Sequence, residues 1–197
     1  MNNFFSTAMY LTLFVFLFSC NVRDNNHGSY YSIDSLVHAQ VVYLTKSKAV
    51  LTKKAEIDGK EEAVSFTPTD TTSWANELAI FSALAEINKP INAGRYTIEN
   101  GVRDPNSNLL IRSFISTSVL PVVYLKLFYL DGSSLLRRVE ALYREENTLL
   151  KGSRLLLMEF QQINNEAILT SYSIEGSQKM LLSDPVQFSI KGTVTLQ

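Results

Sequence analysis

Residues 122–144 read VVYLKLFYLDGSSLLRRVEALYR. Two apolar runs, Val122–Leu130 and Leu135–Arg144, flank Asp131-Gly132, the kind of dipeptide that turns one strand into the next. In the first run only Lys126 is charged, and both alternating sets are apolar. Val122, Tyr124, Phe128 and Leu130 form one set, and Val123, Leu125, Leu127 and Tyr129 the other. A strand apolar on both sides belongs in the middle of a sheet with apolar material over each face. That cover is a helix, a hairpin, a ligand or a partner, so Tyr124, Leu127 and Tyr129 are candidate ligand- or partner-facing residues.

The same period continues on both sides of this hairpin. Arg95–Glu99, Leu109–Ser116, Arg154–Ile163, Ala167–Ile174 and Val186–Leu196 also read as strands. Residues 178–182 extend the sixth run or add a short one. Asn100-Gly101, Asp104-Pro105-Asn106, Asn164-Asn165, Glu175-Gly176 and Asp184-Pro185 are the turn signals between them. In the last run Val186, Phe188, Ile190, Val194 and Leu196 alternate with Gln187, Ser189, Lys191, Thr193 and Thr195, as expected of a sheet with one wet face. The connections are short, so neighbours in sequence pair antiparallel.

Ahead of the strands the period is helical. Ile33, Leu36, Val37, Val41 and Leu44 recur at steps of three and four after Ser32, a candidate N-cap. Asp70 offers an N-cap to a second helix, Trp74–Ile87. There Trp74, Leu78, Phe81 and Ala85 make one stripe and Ile80, Leu84 and Ile87 another, ended by Asn88-Lys89-Pro90. Between the helices, Val50–Ile57 and Lys60–Phe66 flank Asp58-Gly59, a strong type I′ hairpin signal, with Lys and Glu placed to pair across the arms. The expected fold is α+β: a long antiparallel meander of about seven strands plus an N-terminal hairpin, packed on two N-terminal helices. A half-barrel is one form such a meander takes. Residues 30–197 form one domain.

The whole chain has 197 residues, 46% hydrophobic and 19% charged, with 18 basic against 19 acidic side chains. This is a globular mix, and the near-zero charge gives no basis for binding nucleic acid by neutralising phosphates. One cysteine excludes an internal disulfide and a Cys-based zinc site, and two histidines, His27 and His38, leave little for a metal centre.

That single cysteine stands at a telling place. Residues 1–19 carry no charged side chain, and Phe4–Phe18 is apolar apart from Ser6, Thr7 and Thr12. Such a span suits a signal peptide and is short for a membrane-crossing helix, which needs about 20 residues. It closes with Leu17-Phe18-Ser19-Cys20, which resembles the lipobox of bacterial lipoproteins. The resemblance implies removal of residues 1–19 as a signal peptide and acylation of Cys20 with diacylglycerol and a further chain such as palmitate. Residues 20–29 are then a lipidated tether, polar and without apolar period. The implied location is the cell envelope, at the outer membrane facing the periplasm, and the implied partner is the membrane itself. Asn88-Lys89-Pro90-Ile91-Asn92, after a Trp-bearing helix and before the strands, also resembles a segment of uncharacterised lipoproteins of Gram-negative bacteria. The meander over N-terminal helices resembles, in architecture, the half-barrel of lipoprotein carriers and lipid-binding lipoproteins.

Motifs of catalysis are missing from the mature sequence: there is no GxSxG, phosphate loop, GxGxxG, HExxH or CxxC. Gly132-Ser133, Gly152-Ser153 and Gly176-Ser177 read as turn composition, and Glu61-Glu62 and Glu145-Glu146 as solvated charges. Glu77 differs, because it falls within the apolar arc of the second helix. A buried carboxylate needs an Arg or a backbone donor, or stays protonated; Arg95, Arg112, Arg138 and Arg154 are the candidate partners. No cofactor, metal or enzymatic activity is expected. Two roles fit: a docking, adaptor or structural lipoprotein that meets an envelope protein, or a carrier of an amphipathic or lipid ligand within a curved sheet. A hydrolase with dispersed residues is a third and weaker fit. A void beside Val122–Leu130 favours the carrier; a filled core with apolar surface outside favours docking.

Overall fold

The computed structural model describes residues 30–197; the expected signal peptide and tether, with Cys20 and His27, lie outside the described residues. The chain runs α1 (Ile33–Lys46), β1 (Val50–Ile57), β2 (Lys60–Phe66), α2 (Thr71–Glu77), α3 (Ala79–Ser82), two 3₁₀ turns (Ala83–Asn88 and Pro90–Asn92), β3 (Tyr96–Arg103), β4 (Leu109–Ser116), β5 (Val122–Leu130), β6 (Leu136–Glu146), β7 (Leu150–Ile163), β8 (Glu166–Met180) and β9 (Val186–Thr195). The strands make one sheet in the order β2-β1-β9-β8-β7-β6-β5-β4-β3, with every pair antiparallel. This is the α+β meander read from the sequence, as an open sheet rather than a barrel.

The N-terminal hairpin returns to the other end of the chain, pairing Val50 with Thr195 and Ile57 with Phe188. β5 lies inside the sheet as expected, paired on both sides by β4 and β6, and β7 is the middle of the nine. Asp58 (φ 49°) and Gly59 (φ 78°) carry the two positive φ angles of the expected type I′ turn.

Four turn signals are corrected by the ladder. Asn100-Gly101 is a bulge inside β3, with the register shift between Asn100 and Val102 and Gly101 at φ 73°. Glu175-Gly176 lies within β8, where Glu175 pairs with Leu155 and Gly176 with Arg154. Gly152-Ser153 and Gly176-Ser177 are likewise strand residues of β7 and β8, with Ser153 opposite Ser177, not turn residues. Glycine and serine weaken a strand locally, but fourteen paired positions on a long neighbour outweigh that preference.

The helices cover one face. Ile33, Val37, Val41 and Leu44 of α1 join Trp74, Leu78, Phe81, Leu84 and Ile87 against Leu51, Phe114, Leu125, Leu127, Val139, Leu156, Met158 and Leu169 in a single buried cluster. The expected continuous helix Trp74–Ile87 is broken at Leu78 into α2, α3 and a 3₁₀ stretch. Its buried residues are those at steps of four, three, three and three, so the last turns tighten to the 3₁₀ period. Ile80 and Ala85 are only partly buried. Asp70 caps α2 as expected, accepting from the Ser73 N–H at 2.7 Å. Ser32 makes no capping bond to α1.

The opposite face is wet. Rows such as Ser113–Lys126–Glu140–Leu157–Ser173–Lys191–Lys54 cross the sheet there. The apolar outer side of β5 has no second layer over it. Instead, the Arg138 guanidinium lies 3.9 Å above the Phe128 ring and the Lys126 ammonium 4.8 Å from the Tyr124 ring. Long cationic side chains roof the aromatic surface with their stems and keep their charge in water.

Two side chains tie the layers in ways periodicity does not reveal. Gln40 is buried on α1; its Nε2 donates to the Ala167 carbonyl at 3.0 Å, and the Leu169 N–H donates to its Oε1 at 2.8 Å. Leu169 lies beside the register shift at Glu159/Phe160, where the ladder alone would leave backbone groups unpaired. Asn88 clamps the incoming chain, accepting from the Tyr30 N–H at 2.8 Å and donating to the Tyr31 carbonyl at 2.6 Å.

Candidate functional site

Glu77 is where the sequence placed it, nearly buried at the end of α2, but its partners differ from those expected. Lys53 of β1 reaches Glu77 Oε1 at 2.6 Å, and the Tyr172 hydroxyl of β8 donates to the same oxygen. None of the four arginines reaches it. Arg138 pairs with Asp104 at 3.0 Å and Arg154 with Glu145 at 3.3 Å, while Arg95 donates to Ser118 and Arg112 lies over Phe114 at 5.1 Å. The reason is topological: α2 lies over the β1–β9–β8 part of the sheet, and the arginines project elsewhere. A signal was present in β1, where Lys53 shares its alternation with Leu51 and Ile57 and so points inward with them.

The Lys53–Glu77–Tyr172 cluster is enclosed. Tyr172 packs edge-on against Phe81 with centroids 5.8 Å apart, and its ring covers the backbone of Gly192. Burial, then the hydrogen bond to Glu77, raises the Tyr172 hydroxyl well above its ordinary value. A cation, a carboxylate and a neutral phenol that satisfy one another form a tie between helix and sheet.

The remaining candidates separate. Leu127 is fully buried in the core, whereas Tyr124 lies on the outer face, donating to Glu140 at 3.1 Å. Tyr129 borders an open depression of about 660 Å³ with Tyr31, Leu36, Arg112, Leu136 and Ala167. These three residues therefore make no common surface. His38 is exposed on α1. Among the described residues no group of His, Cys, Asp and Glu could hold a metal ion, and no helix is long and apolar enough to cross a membrane. Glu61, Glu145 and Glu146 of the adjacent acidic pairs bond Lys54, Arg154 and Lys151.

Buried and half-buried tyrosines give the domain an alkaline limit. Tyr96 and Tyr124 are pushed up to about 12, chiefly by burial and then by Glu86 and Glu140 respectively. Burial also raises Tyr31, Tyr129, Tyr143 and Tyr172. A folded value above the unfolded 10.0 means that the unfolded chain ionises first. Their contribution to stability is thus complete below pH 10.0 and is lost as pH climbs through the folded values. Denaturant melts should hold steady from neutrality to that point and then fall, with tyrosinate absorbance appearing cooperatively on unfolding. Tyrosinate that grew smoothly, without unfolding, would show these hydroxyls to be open to water.

What the sequence left unmarked is the apolar surface beyond the helices. Ala55, Ile57, Met180, Val186, Phe188 and Ile190 line an open groove of about 250 Å³ on the helix-bearing face. Next to it, Leu149, Leu150, Met180, Leu181 and Leu182 border a second hollow. Strands β7 and β8, of 14 and 15 residues, project past the helix layer and leave this surface exposed. The expectation of ten-residue and eight-residue runs hid the overhang.

No family model, no characterised protein and no solved structure matches this chain.

Proposed function

We propose that the chain is a membrane-anchored envelope lipoprotein without catalytic activity that acts by docking, as an adaptor or structural protein. The observation that carries this reading is the distribution of apolar surface. The inner face of the sheet is filled by its own helices, with Trp74, Phe81, Leu84, Leu125 and Leu127 all fully buried. Apolar side chains lie outside that core instead, around the groove by Ile57 and Phe188. A filled core leaves no room for cargo beside β5, and surplus apolar surface is what contact sites use.

The anchor is Cys20, the sole cysteine, at the end of the apolar leader. Two or three acyl chains, at about 0.8 kcal/mol per buried methylene, hold a protein stably where one chain is marginal. Cys20→Ala is expected to abolish fatty-acid labelling and to leave the precursor uncut. Labelling that survives in Cys20→Ala would overturn the lipoprotein reading. A lipid carrier is the second reading, and the open groove by Ala55 and Phe188 is the observation that favours it. Native mass spectrometry of protein purified without detergent separates the two, since a carrier brings a bound lipid and a docking protein does not.

A further inference from the structure

The two ends of the sheet differ in a way that names a partner. At one end the connections are residues 104–108 (Asp-Pro-Asn-Ser-Asn), 131–135 (Asp-Gly-Ser-Ser-Leu), 164–165 (Asn-Asn) and 67–70 (Thr-Pro-Thr-Asp). In these only Leu135 is a large apolar residue, and it is half-buried. At the other end three of the four hairpin connections present an exposed apolar side chain. Val119 stands between β4 and β5 (96% exposed), Leu149 between β6 and β7 (65%), and Leu181 and Leu182 between β8 and β9 (61% and 99%). Ile57, half exposed, immediately precedes the Asp58-Gly59 turn between β1 and β2. Leu182 is moreover held at φ 65°, where a bulky side chain is rarely found.

The N-terminal segment enters between the two ends, with Tyr31 beside Ser134, Leu135 and Asn165 of the polar one and Tyr30 reaching this one. The Tyr30 hydroxyl accepts from the Gly94 N–H, just before β3 begins, and Arg95 binds Thr117 and Ser118 in the connection that carries Val119. Ile91, 76% exposed, is in the 3₁₀ turn that follows Asn88, the clamp on Tyr30. Nine residues lie between Cys20 and Tyr30, a reach of at most about 30 Å when extended.

We infer that this apolar rim rests on the bilayer in which Cys20 is anchored, with Val119, Leu149 and Leu182 entering the interface. The inference builds on the acylated Cys20 reading above. Strands about 4.8 Å apart set successive tips roughly 10 Å from one another across the sheet. Separate protruding tips suit a fluid surface, which accommodates each of them, whereas a protein partner requires one matched, closely packed patch. The tether makes the contact intramolecular, so a weak interaction at each tip suffices. Charges around the rim are mixed: Lys60, Lys89, Lys151 and Lys179 stand among Asp58, Glu61, Glu146 and Asp184. Apolar contact is therefore the attraction, and anionic lipid is not required.

The test uses the full chain purified from cell membranes and rebuilt into phosphatidylcholine vesicles. Val119→Cys, Leu149→Cys and Leu182→Cys, with Ser134→Cys at the polar end as reference, each carry an environment-sensitive fluorophore. The expected result is blue-shifted emission at 119, 149 and 182, quenched several-fold more by spin-labelled lipid than at 134. Emission at the three rim positions as wet as at 134, in vesicles holding no other protein, overturns the inference and leaves the rim to a protein partner. Intact mass of the same samples reads Cys20 independently. An unmodified Cys20 sinks the lipoprotein reading, while an acylated Cys20 with wet rim labels sinks the rim inference alone.

Discussion

Gly192→Val is expected to unfold the domain or to cost at least about 3 kcal/mol, more than overpacking alone, because it also evicts a core aromatic. A Cβ at residue 192 would lie 2.2 Å from Tyr172 Cε1, 2.3 Å from Cζ and 2.7 Å from the hydroxyl oxygen. Tyr172 sits directly across from Gly192 in the β8–β9 ladder, so the ring has been folded flat over the bare glycine. Moving it breaks the bond to Glu77 and the edge contact with Phe81 at 5.8 Å. Glu77 would then keep only Lys53, and a pocket would open beside Phe81. The same geometry predicts strong coupling. Gly192→Ala in a Tyr172→Ala background should cost much less than in the natural chain, because nothing then occupies the space. A Gly192→Val protein with an unchanged denaturation midpoint would mean that the ring lies elsewhere.

Trp74→Ala should cost about 3–5 kcal/mol, the usual range for deleting a large aromatic from a packed core. Trp74 is fully buried between α1 and the sheet, in one cluster with Leu78, Phe81 and Leu84. Its indole N–H meets no hydrogen-bond partner among the described residues. An unpaired buried donor is itself unfavourable, so Trp74→Phe removes a penalty along with some packing and should be markedly milder than Trp74→Ala. The chain holds a single tryptophan, which makes its emission an unambiguous report. A blue-shifted spectrum closed to aqueous quenchers is expected of the native domain. A red, fully quenchable spectrum would place α2 on the surface.

Much of the fold was legible because period and turn chemistry are local. β4 and β5 begin and end at the residues where the apolar alternation does, and Asp58-Gly59 turns as two positive φ angles require. The errors share one cause. Asn100-Gly101 and Glu175-Gly176 carry turn composition, yet pairing with a long neighbour keeps the chain extended through both. Helix Trp74–Ile87 has an unbroken apolar pattern, yet it bends at Leu78 to follow a twisted sheet.

The candidate residues divide along the same line. Glu77 was picked out because its position on the helical wheel is a property of its own segment. Its partner was misjudged, because which strand passes beneath α2 depends on the return of β1 to β9 across the whole chain. Tyr124, Leu127 and Tyr129 share a strand but not a surface, since alternation and the shift at Phe128/Tyr129 send them to different neighbours.

By itself the sequence determined the class, the antiparallel meander, the helical cover and the apolar leader ending in Cys20, all of which follow from spacing along the chain. Only the tertiary structure decided that the sheet stays open and which strand is central. It also decided that Lys53 and Tyr172 hold Glu77, and that exposed leucines and valines collect at one end beside Tyr30. Those features join residues from distant segments. Side chains that are unremarkable one at a time, such as Val119, Leu149 and Leu182, become a rim only when alternate hairpins bring their tips to the same end.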